Sequence, residues 1–138
     1  MAIRDWLREQ GVVGRGLTLD ATARRVLDGE DFWFAVREFL DGVNLVAETG
    51  GDVTHLVIEE PVPLPDVRHD AYLAALAEHT AIHHGQPIPR WALSPERSCE
   101  PWWFPNDVRA FDATALAQSP LAFRRRGIFI LAGALERC

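Results

Sequence analysis

The chain has 138 residues, 48% of them hydrophobic, and a formal net charge of −6. That length suits one domain, and its apolar content can supply a core without disulfide or metal staples. An acidic balance argues against binding phosphate backbones, and the longest apolar run, residues 128–135, falls well short of the roughly 20 residues of a spanning helix.

The opening Met1-Ala2-Ile3-Arg4-Asp5-Trp6 lacks the apolar run of a signal peptide, and Cys99 and Cys138 show no CxxC spacing. Both features lead to the expectation of a cytoplasmic protein with reduced thiols and no membrane association. All fourteen basic residues are arginine, a bias we read as the mark of a high-GC bacterial gene. Residues 1–60 hold twelve carboxylates against six arginines, whereas residues 101–138 hold three against five. The acidic half is either an ordinary solvated surface or the docking face for a basic protein partner.

In chain order, Ile3, Trp6 and Leu7 predict a short helix ended by Gly11. Thr18 caps a second, with the stripe Leu19, Ala23, Val26 and Leu27 and a stop at Gly29. A third covers Glu30–Asp41, with Phe32, Trp33, Val36, Phe39 and Leu40 on one face and Gly42 at its end. Residues 52–60 fit a helix by period and a strand by β-branching. The alternating prolines 61, 63 and 65 predict an extended connector. Asp70 caps a long helix that runs through His84 to Gly85, followed by a tryptophan- and proline-rich irregular stretch over 86–105. Val108, Phe111, Ala115 and Leu116 suggest further helical segments. Ser119-Pro120 opens a short helix ended by Gly127, and residues 128–131 form a short strand or a buried segment. The whole predicts a mainly α, compact multi-helix single domain, with at most a short strand near the C-terminus. Its parts are an acidic helical part over 1–60, a connector over 61–69 and a C-terminal part over 70–138.

Few residues offer chemistry. His79 and His83 lie four apart on a helix and could ligate a metal, with Cys99 or a carboxylate as further ligands. The favoured reading is structural histidines beside Tyr72 and Leu76, and Thr80 stands where a zincin motif needs glutamate. Ser94, Ser98 and Ser119 lie in no GxSxG elbow, and the glycines 11, 14 and 16 lack a P-loop lysine. No catalytic residue and no cofactor is therefore assigned. A helix-turn-helix over 18–41 fails because its second helix is apolar and acidic, so direct DNA binding is not expected. Phe34 falls on the polar side of its helix beside Arg37, Glu38 and Asp41, where it is either a protein-contact anchor or covered by another segment. Trp91, Trp102, Trp103 and Phe104 among prolines form a binding platform or glue a loop to the core. Arg124, Arg125 and Arg126 offer a phosphate site or complement a helix dipole.

Several segments together resemble a group of small, mostly uncharacterised proteins of high-GC bacteria. They are Val36–Asp41, Asp70–His79, Pro89-Arg90-Trp91, Pro101–Pro105 and Ser119–Phe129, spanning about residues 30–137. That group is associated with nucleotidyltransferase-fold proteins in toxin–antitoxin-like gene pairs. The resemblance implies a non-catalytic antitoxin whose partner is a cognate protein toxin. Phe34, Glu38, Asp41, Trp102, Trp103, Arg124 and Arg125 are the expected partner-binding residues. The alternatives are a small metal- or nucleotide-dependent enzyme using the His79/His83 face, or a ligand-binding accessory protein. The group sometimes carries a helix-turn-helix module, which this chain lacks.

Overall fold

The Thr18 hydroxyl accepts a hydrogen bond from the Ala21 N–H at 3.0 Å and opens the first described helix, α1 (Leu19–Leu27). The computed structural model describes residues 17–136, so the expected helix around Ile3, Trp6 and Leu7, the glycines 11–16 and Cys138 lie outside the described residues. Helix α1 buries Leu19 and Ala23, but Leu27, expected on the same stripe, is exposed. It closes in a Schellman turn at Gly29, with the Glu30 N–H donating to the Arg25 carbonyl at 3.0 Å.

Asp31 caps α2 (Phe32–Glu48) by accepting from the Phe34 N–H at 2.9 Å. The expected stop at Gly42 is wrong: the helix runs through it for another turn and a half. Val43 and Val46 continue the buried stripe of Phe32, Val36, Phe39 and Leu40. Burying two valines stabilises by more than the ~1 kcal/mol that one interior glycine costs. Trp33, also assigned to the core face, sits at its edge with part of its ring exposed. The ambiguous segment resolves as a single helical turn, α3 (Thr54–Val57), burying Leu56 and Val57.

Alternating prolines leave the connector two free amide donors, and carboxylates from different parts of the chain take both. Val62 N–H donates to Asp20 at 3.0 Å and Leu64 N–H to Asp70 at 2.8 Å. Arg97, buried and stacked over Trp91 at 4.9 Å, donates to the Pro61 carbonyl at 3.1 Å. The connector is thus fastened to both parts of the protein, which form a single, mainly helical domain.

Helix α4 (Val67–His83) begins four residues earlier than the sequence pattern suggests. Asp66, not Asp70, is its N-cap and accepts from the Arg68 N–H at 2.9 Å; Asp70 is committed to Leu64 instead. Residues 71–78 are buried without interruption, so α4 is the central helix, with no solvent face along that stretch. Around it pack α3, the 3₁₀ turn Arg90–Leu93 and α6 (Leu121–Arg124), while α1 packs on α2.

The irregular stretch is anchored by Trp91, whose indole N–H donates to the Val57 carbonyl at 2.9 Å. Beyond it lie a 3₁₀ turn at Arg109–Phe111 and α5 (Asp112–Gln118). Of the four apolar residues expected to pack there, only Ala115 is buried. Ser119 does not cap α6. Its hydroxyl is buried and donates to the Ile128 carbonyl at 3.0 Å, holding the segment after Gly127. That segment, Ile128 to Ile130, is buried and makes one isolated parallel bridge, Trp103 to Ile128. No strand forms among the described residues, and no described helix is long and apolar enough to cross a membrane.

Candidate functional site

The N-terminal end of α2 meets α4 through rings. Phe32 stacks on His69 with centroids 3.8 Å apart, and Trp33 meets Tyr72 edge-on at 5.2 Å and Trp103 at 6.0 Å. The Arg68 guanidinium lies over Trp103 at 5.0 Å. Backbone bonds fix Trp103 from the other side: its N–H donates to the Gly127 carbonyl at 2.8 Å, and its carbonyl accepts from Phe129 at 2.9 Å. Trp103 is thus largely built into the fold. Its neighbour Trp102 is 64% exposed and rests on Phe129 at 4.8 Å.

Below these rings, α2 and the C-terminal segment diverge and leave a groove of about 600 Å³. Trp33, Val36, Arg37 and Leu40 form the α2 wall, and Tyr72 contributes from α4. The far wall comes from residues 105–107 and from 130–134. Sequence reasoning missed this groove. Period identified the α2 residues as a core stripe, but the part of that stripe left uncovered depends on where residues distant in the chain return.

Of the expected partner-binding residues, Phe34 is 45% exposed on the outer side of α2. Glu38, one turn on, accepts from Arg25 of α1 at 2.8 Å, and Glu30 binds the same guanidinium. Glu38 is therefore part of the α1–α2 contact as well as of the surface. Asp41 is half-buried on the same helix. The structure does not bring Arg124 and Arg125 to this face. Arg124 donates to the Leu116 carbonyl at 2.9 Å and the Ser119 carbonyl at 3.2 Å, satisfying the C-terminal end of α5 rather than complementing its own helix. Arg125 pairs with Glu78 at 2.8 Å.

Arg126 is buried and pairs with Glu78 at 2.6 Å, and it also donates to the Ala122 and Ala92 carbonyls. Burial pulls its pKa down, and the Glu78 carboxylate opposes that pull. Glu78 was not singled out from sequence, although it is the sole acid of the Ala/Leu-rich stretch 71–83 and pairs with both Arg125 and Arg126.

The His79 and His83 rings stack with centroids 5.9 Å apart, and His79 packs edge-on to Phe123 at 6.1 Å. Burial lowers the His79 pKa, and the neighbouring His83 and His84 push it the same way. Two imidazoles could chelate a metal weakly, but among the described residues no three His, Cys, Asp or Glu side chains group into a metal site. Cys99 is a buried free thiol whose pKa is raised by burial, the opposite of an activated nucleophile. Comparison of the chain with family models, curated proteins and solved structures gives no match.

Proposed function

We propose that this is a cytoplasmic, non-catalytic antitoxin-like protein that masks a cognate toxin of nucleotidyltransferase fold through the outer face of α2. The observation that carries the reading is Phe34, a large aromatic held 45% exposed on a rigid helix between the partly exposed Trp33 and the carboxylates Glu38 and Asp41. Aromatic anchors surrounded by charge supply most of the energy of protein interfaces, and carboxylates would meet the cationic nucleotide site of such a toxin. Trp102 and Trp103 flank the same end of the molecule. Arg124 and Arg125 are exposed but are left out of the proposed contact, because the bonds they make tie them to α5 and to Glu78 rather than to the outer face of α2.

The test is co-expression with the product of the adjacent gene, scored by growth and by size-exclusion chromatography of the purified mixture. The expected result is relief of growth arrest and a stable complex, both lost with Phe34→Ala. A toxin that stays active and elutes alone in the presence of the wild-type chain would refute the reading. A complex indifferent to Phe34→Ala would remove α2 from the interface.

A further inference from the structure

The groove beside α2 carries an inference that does not rest on the antitoxin reading. Its volume of about 600 Å³ lies within the ~300–1,000 Å³ typical of small-ligand sites. Its lining is mainly hydrocarbon and ring: Trp33, Val36, Leu40, Tyr72 and Ile130. Among the polar groups of that lining with no protein partner among the described residues are two hydrogen-bond donors suited to an acid.

The first is the Tyr72 hydroxyl. Tyr72 is only 2% exposed, yet its hydroxyl makes no hydrogen bond among the described residues. Among the described residues, no enclosed side-chain nitrogen or oxygen lacks a partner. The hydroxyl is therefore not fully enclosed, and Tyr72 is one of the residues that line the groove. A phenol held this way in an apolar wall is a donor waiting for an acceptor.

The second is Arg37. Arg24, Arg25, Arg68, Arg97 and Arg125 all sit in ion pairs, but Arg37 makes none among the described residues while lining the same groove. A guanidinium beside a hydrocarbon surface recognises a carboxylate in a bidentate fork. Asp107 lines the loop wall, and its charge disfavours ligands carrying more than one negative charge, nucleotides included.

We infer that the groove binds a small apolar monocarboxylic acid, with Arg37 on the carboxylate, the Tyr72 hydroxyl as second donor, and the hydrocarbon body against Trp33, Val36 and Leu40.

Naphthoate and decanoate are the probes, ring-bearing and aliphatic, each compared with its neutral amide by heteronuclear NMR titration of the full chain. Saturable binding of at least one acid at or below about 1 mM is expected, with the amide about tenfold weaker. Shifts should centre on the Trp33 indole and residues 105–107 and 130–134. Arg37→Gln should erase the preference for acid over amide, and Asp107→Asn should tighten the acid. Tyr72→Phe, which removes no internal hydrogen bond, should weaken the acid several-fold without moving the unfolding midpoint. No saturation by either acid overturns the inference. So does a preference for acid that survives Arg37→Gln, or a set of shifts lying away from the groove.

Discussion

Glu78 Oε1 accepts a hydrogen bond from Arg126 Nη1 at 2.6 Å, and both side chains are almost wholly withdrawn from solvent, at 1% and 4% exposure. Two ions in a helical core are expensive to desolvate, and here two further Arg126 hydrogen bonds reach the Ala122 and Ala92 carbonyls. Glu78→Ala leaves the Arg126 cation buried without its counter-ion and should cost about 3–5 kcal/mol. The double variant Glu78→Met with Arg126→Met removes both charges and should recover much of that loss. Chemical denaturation of the three proteins checks this. Equal losses in the single and double variants would mean that packing, not charge compensation, governs the site.

Gly127 and Gly85 both adopt left-handed backbone, with φ of 77° and 67°, but their surroundings differ. A Cβ on Gly85 meets open space, whereas on Gly127 it would lie 2.7 Å from the Cys99 carbonyl oxygen. Gly85→Ala should therefore cost about 1 kcal/mol. Gly127→Ala should cost distinctly more, because the Cys99 backbone, bonded to the Arg126 carbonyl at 2.7 Å, must also shift. The reverse order of melting temperatures would contradict the close approach.

Asp66 and Asp70 test the start of α4. Asp66→Ala removes the N-cap and should cost about 1 kcal/mol. Asp70→Ala strands the Leu64 amide donor, a loss of about 1–3 kcal/mol, while Asp70→Asn keeps an acceptor oxygen and should be nearly neutral. Burial already raises the Asp70 pKa, so the neutral amide suits the site. Equal losses for Asn and Ala at 70 would show that the bond to Leu64 is not what the carboxylate contributes.

Much of this architecture was legible in the sequence, and its failures share a cause. Thr18, Gly29, Gly85 and Gly127 mark helix ends correctly because caps are local chemistry. Gly42 misleads because the decision to continue α2 is made by Val43 and Val46 finding a distant core. Asp70 looks like a cap because an aspartate before a helical run fits one, while its real partner, Leu64, lies across a proline bend. The groove and the Glu78–Arg126 pair are unreadable for the same reason: each joins residues tens of positions apart. Phe34 is legible because exposure of a single helical position follows from period alone.

Acid should weaken the fold before its carboxylates titrate. Burial pulls the His79 imidazole below its ordinary value, aided by His83 and His84. It does the same to His69, stacked on Phe32, where Asp66 opposes the shift. A histidine with a depressed folded pKa binds fewer protons folded than unfolded. Its contribution is complete above the unfolded value of about 6.5 and is lost as pH falls through the folded value. The urea midpoint should drop between about pH 7.5 and about pH 5.5, a window in which ordinary carboxylates stay ionised. His79→Asn should flatten part of that slope. A midpoint that is constant, or that rises on acidification, would place these rings in water.

Phe34 and Phe39 lie five positions apart on α2 and separate folding from binding. Phe39 is fully buried in the core, so Phe39→Ala should cost about 3–5 kcal/mol and broaden or abolish cooperative unfolding. Phe34 has nearly half its surface in solvent, and its backbone N–H, not its ring, makes the cap bond to Asp31. Phe34→Ala should therefore change stability by no more than about 0.5 kcal/mol. That neutrality makes it the informative variant for toxin masking: a folded Phe34→Ala protein that fails to rescue growth has lost a contact, not a structure. Glu38→Lys would be a poorer choice, since it sets a second cation against Arg25 and disturbs the α1–α2 contact. If Phe34→Ala instead unfolds as readily as Phe39→Ala, the ring is covered and the proposed interface loses its anchor.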